Sequence, residues 1–385
     1  MKRFLKKEIL VTMFFLAVIF FFGITTALKN YPFGMGDIER VYTGGFYKKE
    51  AFVEIWSAIQ RMTSAQKATK LEDAEYGYII KDTHGKLHFP APHFDVSGEI
   101  ARTIAFAELL GKRNTPFIYV QTPNKKLEDY TVFPAGAENY ANEDCNVLLE
   151  ELENAGVSTL DLRESIKLQN LDRNSLFYTT DHHWTTKTAF WAFGETVDKL
   201  NESFDLNIDP TGFYRDLDNY IIEFYPECYL GSLGRRVGSA ISGYDDYTFI
   251  KPDFETDYTI YDALSSPEVC MWQGDFMNSI VRQYILDSTD KSANKHAAYF
   301  EYDYGNLIIK NNKIDNDTKI LLIKDSYSLP FAAFLSTCVG ELHMMDLRDA
   351  ATPVPAQYVE QYDFDCVIVM YNPEVFGTKM FNFGA

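Results

Sequence analysis

Lys319-Ile320-Leu321-Leu322-Ile323-Lys324-Asp325-Ser326-Tyr327-Ser328 is the stretch whose reading decides the fold. Its apolar core, Ile320 to Ile323, is short and shows no alternation, the pattern of a strand buried on both faces of a parallel sheet. The run ends at a serine, and residues 329–338 then read as a helix. A serine at a strand-to-helix turn stands at the carboxyl edge of a sheet, where the first backbone N–H groups of the new helix face any developing oxyanion.

Outward from this stretch the same alternation recurs. Downstream, residues 341–345 and 365–370 read as two further strands. Upstream, Ile100, Ile104, Leu109 and Leu110 give a helix over 97–111, with Ser97 as its N-cap and Gly111 as its C-cap. It leads into a strand at 116–120 that ends in the polar turn Thr122-Pro123-Asn124-Lys125. Residues 142–155 are helical and 157–162 strand-like, and 185–200 form a helix with Ala189, Phe190, Phe193, Val197 and Leu200 on one face. This order predicts an α/β fold: a parallel sheet with helices on both faces.

Residues 204–315 break the rhythm. They are rich in Tyr, Asp, Gly and Pro and read as an irregular insertion or cap over the sheet. Within them Gly231-Ser232-Leu233-Gly234-Arg235-Arg236-Val237-Gly238 is Gly-rich and basic but lacks the Lys-Ser/Thr ending of a phosphate-binding loop, so it reads as a surface turn. Before the domain, residues 48–62 place Phe52, Ile55, Trp56 and Ile59 at helical spacing.

At the N-terminus, Lys2, Arg3, Lys6 and Lys7 precede an uncharged run over 9–28, about the length of a membrane-spanning helix. The basic flank should stay in the cytoplasm, which places the chain after Lys29 outside. Thr25-Thr26-Ala27 matches a small-x-small cleavage site only weakly, so an anchor is favoured over a removed signal peptide. The chain thus divides into a membrane anchor or signal segment, 1–30, and an α/β domain, 31–385.

The sequence has 385 residues, 46% of them hydrophobic, enough for a sizeable core. Its net charge of -19 repels phosphate backbones and argues against nucleic acid as a partner. The 25 tyrosines suit either stacking on sugars or dense packing. Cys145, Cys228, Cys270, Cys338 and Cys366 are scattered without metal-ligand spacing. One or two bridges would fit an outside location, an odd thiol would be left over, and Cys338 and Cys366 read as buried hydrophobes.

Two clusters carry chemistry. Tyr178-Thr179-Thr180-Asp181-His182-His183-Trp184 sets a carboxylate and two imidazoles before a helix, and Ser326 supplies a hydroxyl. Acyl transfer needs a weak hydroxyl nucleophile, an imidazole to take its proton and a carboxylate to fix the imidazole's tautomer. The same residues, taken alone, also fit helix caps and packed histidines. His183 is preferred to His182 because a residue directly after Asp181 is awkwardly placed for tautomer control. Consecutive histidines seldom point at one ion and no distant cluster completes a site, so no metal is expected. Tyr178, Trp184, Tyr327, Arg348, Asn124, Lys125 and Asn372 lie beside these motifs or near strand ends and are candidate substrate contacts, although surface or capping roles fit them equally.

Thr180-Asp181-His182-His183-Trp184 resembles the signature of the DHHW proteins, relatives of the alginate O-acetyltransferases in the SGNH hydrolase-like superfamily. Lys324-Asp325-Ser326-Tyr327, Pro330-Phe331, Phe334-Leu335 and Asp346-Leu347-Arg348 are similar to that family as well. The resemblance lies within 178–190 and 320–372, and Lys324 stands where typical SGNH enzymes have Gly. It implies an SGNH-like fold and a triad with the serine last, in which Asp181 orients, His183 is the base and Ser326 attacks. It further implies O-acetyl transfer to a cell-surface or secreted polysaccharide, without a cofactor, and an acetyl donor delivered by a separate membrane-bound O-acyltransferase. A carbohydrate esterase with the same triad and a non-catalytic glycan-binding protein are the rival readings.

Overall fold

The computed structural model describes residues 13, 16–17, 20–30, 46–62, 70–73, 77–264 and 269–385. The run 9–28 lies partly outside them; residues 20–29 are helical. Among the described residues no helix is long and apolar enough to cross a membrane, so the expected spanning helix is not among the elements seen.

Helix α1 (Lys49–Met62) follows. Its polar side grips the domain: Glu54 accepts hydrogen bonds from the backbone N–H and the hydroxyl of Ser239, at 2.9 and 2.7 Å. Its apolar side faces outward, leaving Ile55 and Trp56 about 60% exposed. The spacing found this helix, but its stripe does not enter the core.

The domain is organised by an eight-stranded sheet. In chain order its strands are β1 (Phe117–Gln121), β2 (Ser158–Asp161), β3 (Tyr258–Asp262), β4 (Cys270–Gly274), β5 (Asn306–Asn311), β6 (Lys319–Lys324), β7 (Glu341–Met345) and β8 (Cys366–Tyr371). They lie in the order β2-β1-β8-β6-β7-β5-β3-β4. The first five are parallel to one another; β5, β3 and β4 add antiparallel pairs at the β7 side. The stretch 204–315 is therefore not simply a cap, since three of its segments extend the sheet. It also forms a separate hairpin, Tyr220–Tyr229 with Asp245–Pro252.

Period-two alternation sorts the central strands onto two cores. Ile118, Val120, Ile320, Leu322, Ile368 and Met370 face one, with helices α4 (Thr186–Phe204) and α6 (Ser328–Leu335). Phe117, Tyr119, Leu321, Ile323, Val367 and Val369 face the other, with α2 (Ser97–Lys112) and α3 (Ala141–Asn154). All eight residues of α6 are buried, between the sheet and α4, with the Phe190 and Phe334 rings edge to face at 5.0 Å. Ser97 is the first helical residue of α2 rather than its cap, the cap position being Val96, and Arg113 rather than Gly111 closes it. All five cysteines are free, with Cys145, Cys338 and Cys366 buried, so neither of the bridges that the sequence left open is formed.

Candidate active site

The site assembles where β6 and β8 end. Chain connections run from β1 toward one edge of the sheet and from β6 toward the other, and a crevice forms at such a switch of direction. Asp325 fixes the turn after β6: its carboxylate accepts from the Tyr327 N–H at 3.0 Å and from the Asn372 N–H, at the end of β8, at 2.6 Å. Burial pushes this carboxyl up to about 7. Lys324, fully buried, donates to Asp303 at 2.5 Å and lies 3.3 Å from Asp346, and Arg348 pairs with the same two carboxylates. A lysine where typical SGNH enzymes have Gly is thus neutralised by two acids before it reaches the turn, as a buried charge requires.

The loop 178–184 is held by a second set of contacts. Asp245 accepts from the N–H groups of Thr179 and Thr180 and from the Thr180 hydroxyl, at 2.6 to 2.7 Å. Lys125 donates to the carbonyls of Thr179 and Asp181, both at 2.8 Å, and burial, with Lys86 nearby, pushes its ammonium down to about 7. Thr185 caps α4, so Asp181 is free of that role.

The structure brings Asp181, His183 and Ser326 together. His183 Nδ1 lies 2.6 Å from Asp181 Oδ1, and its Nε2 lies 2.9 Å from Ser326 Oγ. A carboxylate only accepts, which assigns the imidazole proton to Nδ1 and leaves Nε2 to accept from the serine. Burial alone would raise the Asp181 carboxyl, but His183, His182 and the hydrogen bonds from His183 hold it well below the usual range. Burial, then the adjacent His182 and His296, hold His183 well below an ordinary imidazole. Both directions describe an ionised Asp181 beside a neutral His183. His182 takes a different path: its Nδ1 meets Ser232 Oγ at 2.8 Å.

The ligand atoms of Asp181, His182 and His183 lie within 4.8 Å of one another, close enough for a cation. Both nitrogens of His183 are already engaged, however, and Asp181 Oδ2 accepts from Tyr229 and from the Ser232 N–H at 2.8 and 2.7 Å. This donor set is directed at itself rather than at an ion.

A cleft of about 690 Å³ opens beside half-buried Ser326, lined in part by Phe89, Pro92, Phe94, His182, Ser232 and Phe376. Of the residues expected to contact substrate, Tyr327, Arg348 and Asn372 line it. Tyr178 and Trp184 do not: both are buried, Tyr178 against Tyr229 and Trp184 through a 2.8 Å hydrogen bond to the Tyr327 carbonyl. Lys125 and Asn124 are buried as well; Lys125 supports the loop from below, and Asn124 accepts from the Lys126 N–H at 2.7 Å while its Nδ2 has no partner.

Several residues at the site had no motif to announce them: Tyr229, Asp245 and His296, all from 204–315. The glycine-rich loop is no surface turn. Its helix, α5 (Ser232–Val237), packs on Asp181 so closely that a Cβ at Gly231 would lie 2.3 Å from the Asp181 Cβ, and one at Gly234 2.7 Å from the Thr180 Cβ. The glycines in this loop were a readable sign of close approach; His296 offered none.

Comparison with known proteins agrees with this fold. Residues 94–214 match the model of the SGNH hydrolase-like domain of the acetyltransferase AlgX, a stretch that holds Asp181 and His183 and ends before Ser326. No curated protein matches the chain in sequence. Among solved structures, PatB1 from Bacillus cereus with a sulfonyl adduct superposes with a TM-score of 0.64 at 19% identity, covering 80% of this chain and 97% of that one. A DHHW family protein from Eubacterium siraeum superposes with a TM-score of 0.60 at 16% identity, covering 82% and 98%. At these identities the likeness shows the fold. The match bears out the resemblance to the SGNH hydrolase-like domain of an acetyltransferase over residues 94–214, and the DHHW family protein shares the fold.

Proposed function

We propose that this chain is an extracytoplasmic SGNH-type O-acetyltransferase that acts on a cell-surface or secreted polysaccharide through Ser326, His183 and Asp181. One observation carries the reading: the unbroken line Asp181 Oδ1, His183 Nδ1, His183 Nε2, Ser326 Oγ, with steps of 2.6 and 2.9 Å, at the carboxyl end of a parallel sheet. In this reading Ser326 Oγ attacks the acyl carbonyl as His183 Nε2 takes its proton. Asp181 keeps the second proton on Nδ1 and stabilises the imidazolium. The Ser326 N–H faces the developing oxyanion, and an alkoxide leaving group takes the proton back from His183. A sugar hydroxyl in the cleft, deprotonated by the same Nε2, then attacks the acyl-serine, and as the Oγ–acyl bond breaks Nε2 returns that proton to Ser326 Oγ.

The outside location is supported by the basic start and the uncharged run 9–28. The acetyl donor would come from a membrane-bound O-acyltransferase partner, as the resemblance implies. The test uses the purified full chain with 4-nitrophenyl acetate and a polysaccharide acceptor. Acetyl groups appearing on the polysaccharide support transfer; release of acetate alone makes the protein an esterase; neither, from folded protein, refutes the serine mechanism.

A further inference from the structure

We infer that His296 is a positioning residue for this chemistry: it clamps the backbone carbonyl of the nucleophile Ser326 and covers the second face of the His183 ring, so that base and nucleophile stay in line. The inference rests on the acyl-transfer reading of Ser326. His296 Nε2 lies 2.8 Å from the Ser326 carbonyl oxygen. A carbonyl only accepts, so this nitrogen bears the proton and donates. The His296 ring stacks on His183 with centroids 3.8 Å apart and planes 11° apart. His182 covers the other face, also at 3.8 Å, tilted by 37°.

The need for such a wall follows from the imidazole's freedom. The terminal torsion of a histidine is broad, and the two hydrogen bonds of His183 hold it only within their own angular tolerance. Rings packed on the faces of His183 narrow that range. His296 is itself held firmly. It is buried and sits on a 3-10 turn, Lys295–Ala298. Lys295 Nζ ties that turn to the carbonyls of Ile285, Leu286 and Ser288 at 2.6 to 3.0 Å. Two residues before His296, the Asn294 carboxamide meets the Tyr229 hydroxyl at 3.0 Å, and that hydroxyl lies 2.8 Å from Asp181 Oδ2. One short turn therefore touches His183 and Ser326 directly and reaches Asp181 through the Tyr229 hydroxyl.

The charged and titratable groups around His296 are Asp181, His182 and His183 from the loop before α4 and Asp303 from the segment before β5, with the Ser326 carbonyl opposite. A proton on His296 would set a cation against the His183 ring and oppose its protonation. The clamp thus also bears on the acid limb of the rate.

Three variants of the full chain separate these roles. His296→Ala removes wall and donor, His296→Gln restores a side-chain N–H donor, and His296→Phe restores the wall alone. With 4-nitrophenyl acetate, His296→Ala should lose about 10- to 100-fold in kcat with little change in KM, in keeping with the cost of a misplacement near 1 Å. The Gln and Phe variants should each recover part of that loss. In both, the acid limb of kcat/KM, and the His183 titration followed by NMR, should move to higher pH, since a neighbouring imidazole has gone. A His296→Ala variant with the parent's kcat and acid limb would overturn the inference, as would Gln and Phe variants that fold like the parent and recover nothing. A parent enzyme that is neither active nor acylated at Ser326 would instead refute the acyl-transfer reading.

Discussion

The two flanks of the sheet divide the labour at the site. On the parallel flank, β6 and β8 are almost wholly buried, and β6 delivers Ser326 at its end. The antiparallel flank and the hairpin beside it are half-solvated: β4 has no buried residue, and Tyr220–Tyr229 is exposed along much of its length. Yet that irregular side sends Tyr229 and Ser232 to the Asp181 carboxylate, Asp245 to the loop that carries it, and His296 to Ser326. One flank supplies the Ser326 hydroxyl, while the other fixes the geometry around it. A segment that looks like an appendage is structurally half of the site.

The largest effect is expected at Asp181. An Asp181→Asn variant should keep the fold, because Thr185 caps α4, but lose a factor on the order of 10⁴ in kcat through the wrong imidazole tautomer. A loss below ten-fold in a variant that melts like the parent would show that the carboxylate does not govern His183.

Next comes the irregular flank. Gly231→Ala would drive a Cβ to 2.3 Å from Asp181 Cβ and 2.5 Å from its Oδ2. Overpacking of this kind costs about 1 to 3 kcal/mol, and displacing the carboxylate should lower kcat by roughly 100-fold. Unchanged melting and turnover would mean that α5 does not bear on Asp181.

The pH dependence is subtler. His183 acts as a base only when neutral, and burial with its neighbouring imidazoles holds it well below its ordinary value. Followed by NMR, the His183 ring should stay neutral as pH falls from 8 through about 6.5, where an unperturbed imidazole would be half protonated, and take up its proton only at lower pH. Half-protonation near 6.5 would show an imidazole that its surroundings do not perturb.

The smallest effect is expected on α1. Ile55 is about 60% exposed, and Ile55→Ser should change the stability of the domain by no more than about 0.5 kcal/mol. A cost of several kcal/mol would place that face in a core.

The parallel flank was legible because strands buried on both faces leave short continuous apolar runs, and 320–323 and 366–370 are such runs. The positions of Asp181, His183 and Ser326 could be read for a related reason: they sit at ends of regular elements, where a polar residue interrupts an apolar pattern. The strands of 258–262 and 270–274 were missed because partial exposure mixes Tyr, Thr, Gln and Asp into them, which erases the contrast, and 306–311 because its apolar run is only Leu307-Ile308-Ile309, flanked by Asn and Lys. On α1 the period of 3.6 was correct, but periodicity identifies an apolar face without saying what covers it. Tyr178 and Trp184, beside the motif, were misread as substrate contacts since adjacency in sequence does not reveal that a side chain points into the core. His296 is joined to the triad only through space, so no spacing could have announced it.

Covalent labelling shows whether Ser326 is a nucleophile activated by His183. The folded full chain, treated with a sulfonyl fluoride and digested for mass spectrometry, should carry one sulfonyl group on Ser326, with ester turnover lost in proportion to labelling. Neither label nor turnover should be present in Ser326→Ala. Turnover that persists in a well-folded Ser326→Ala variant, or inactivating label on another residue, would contradict the account.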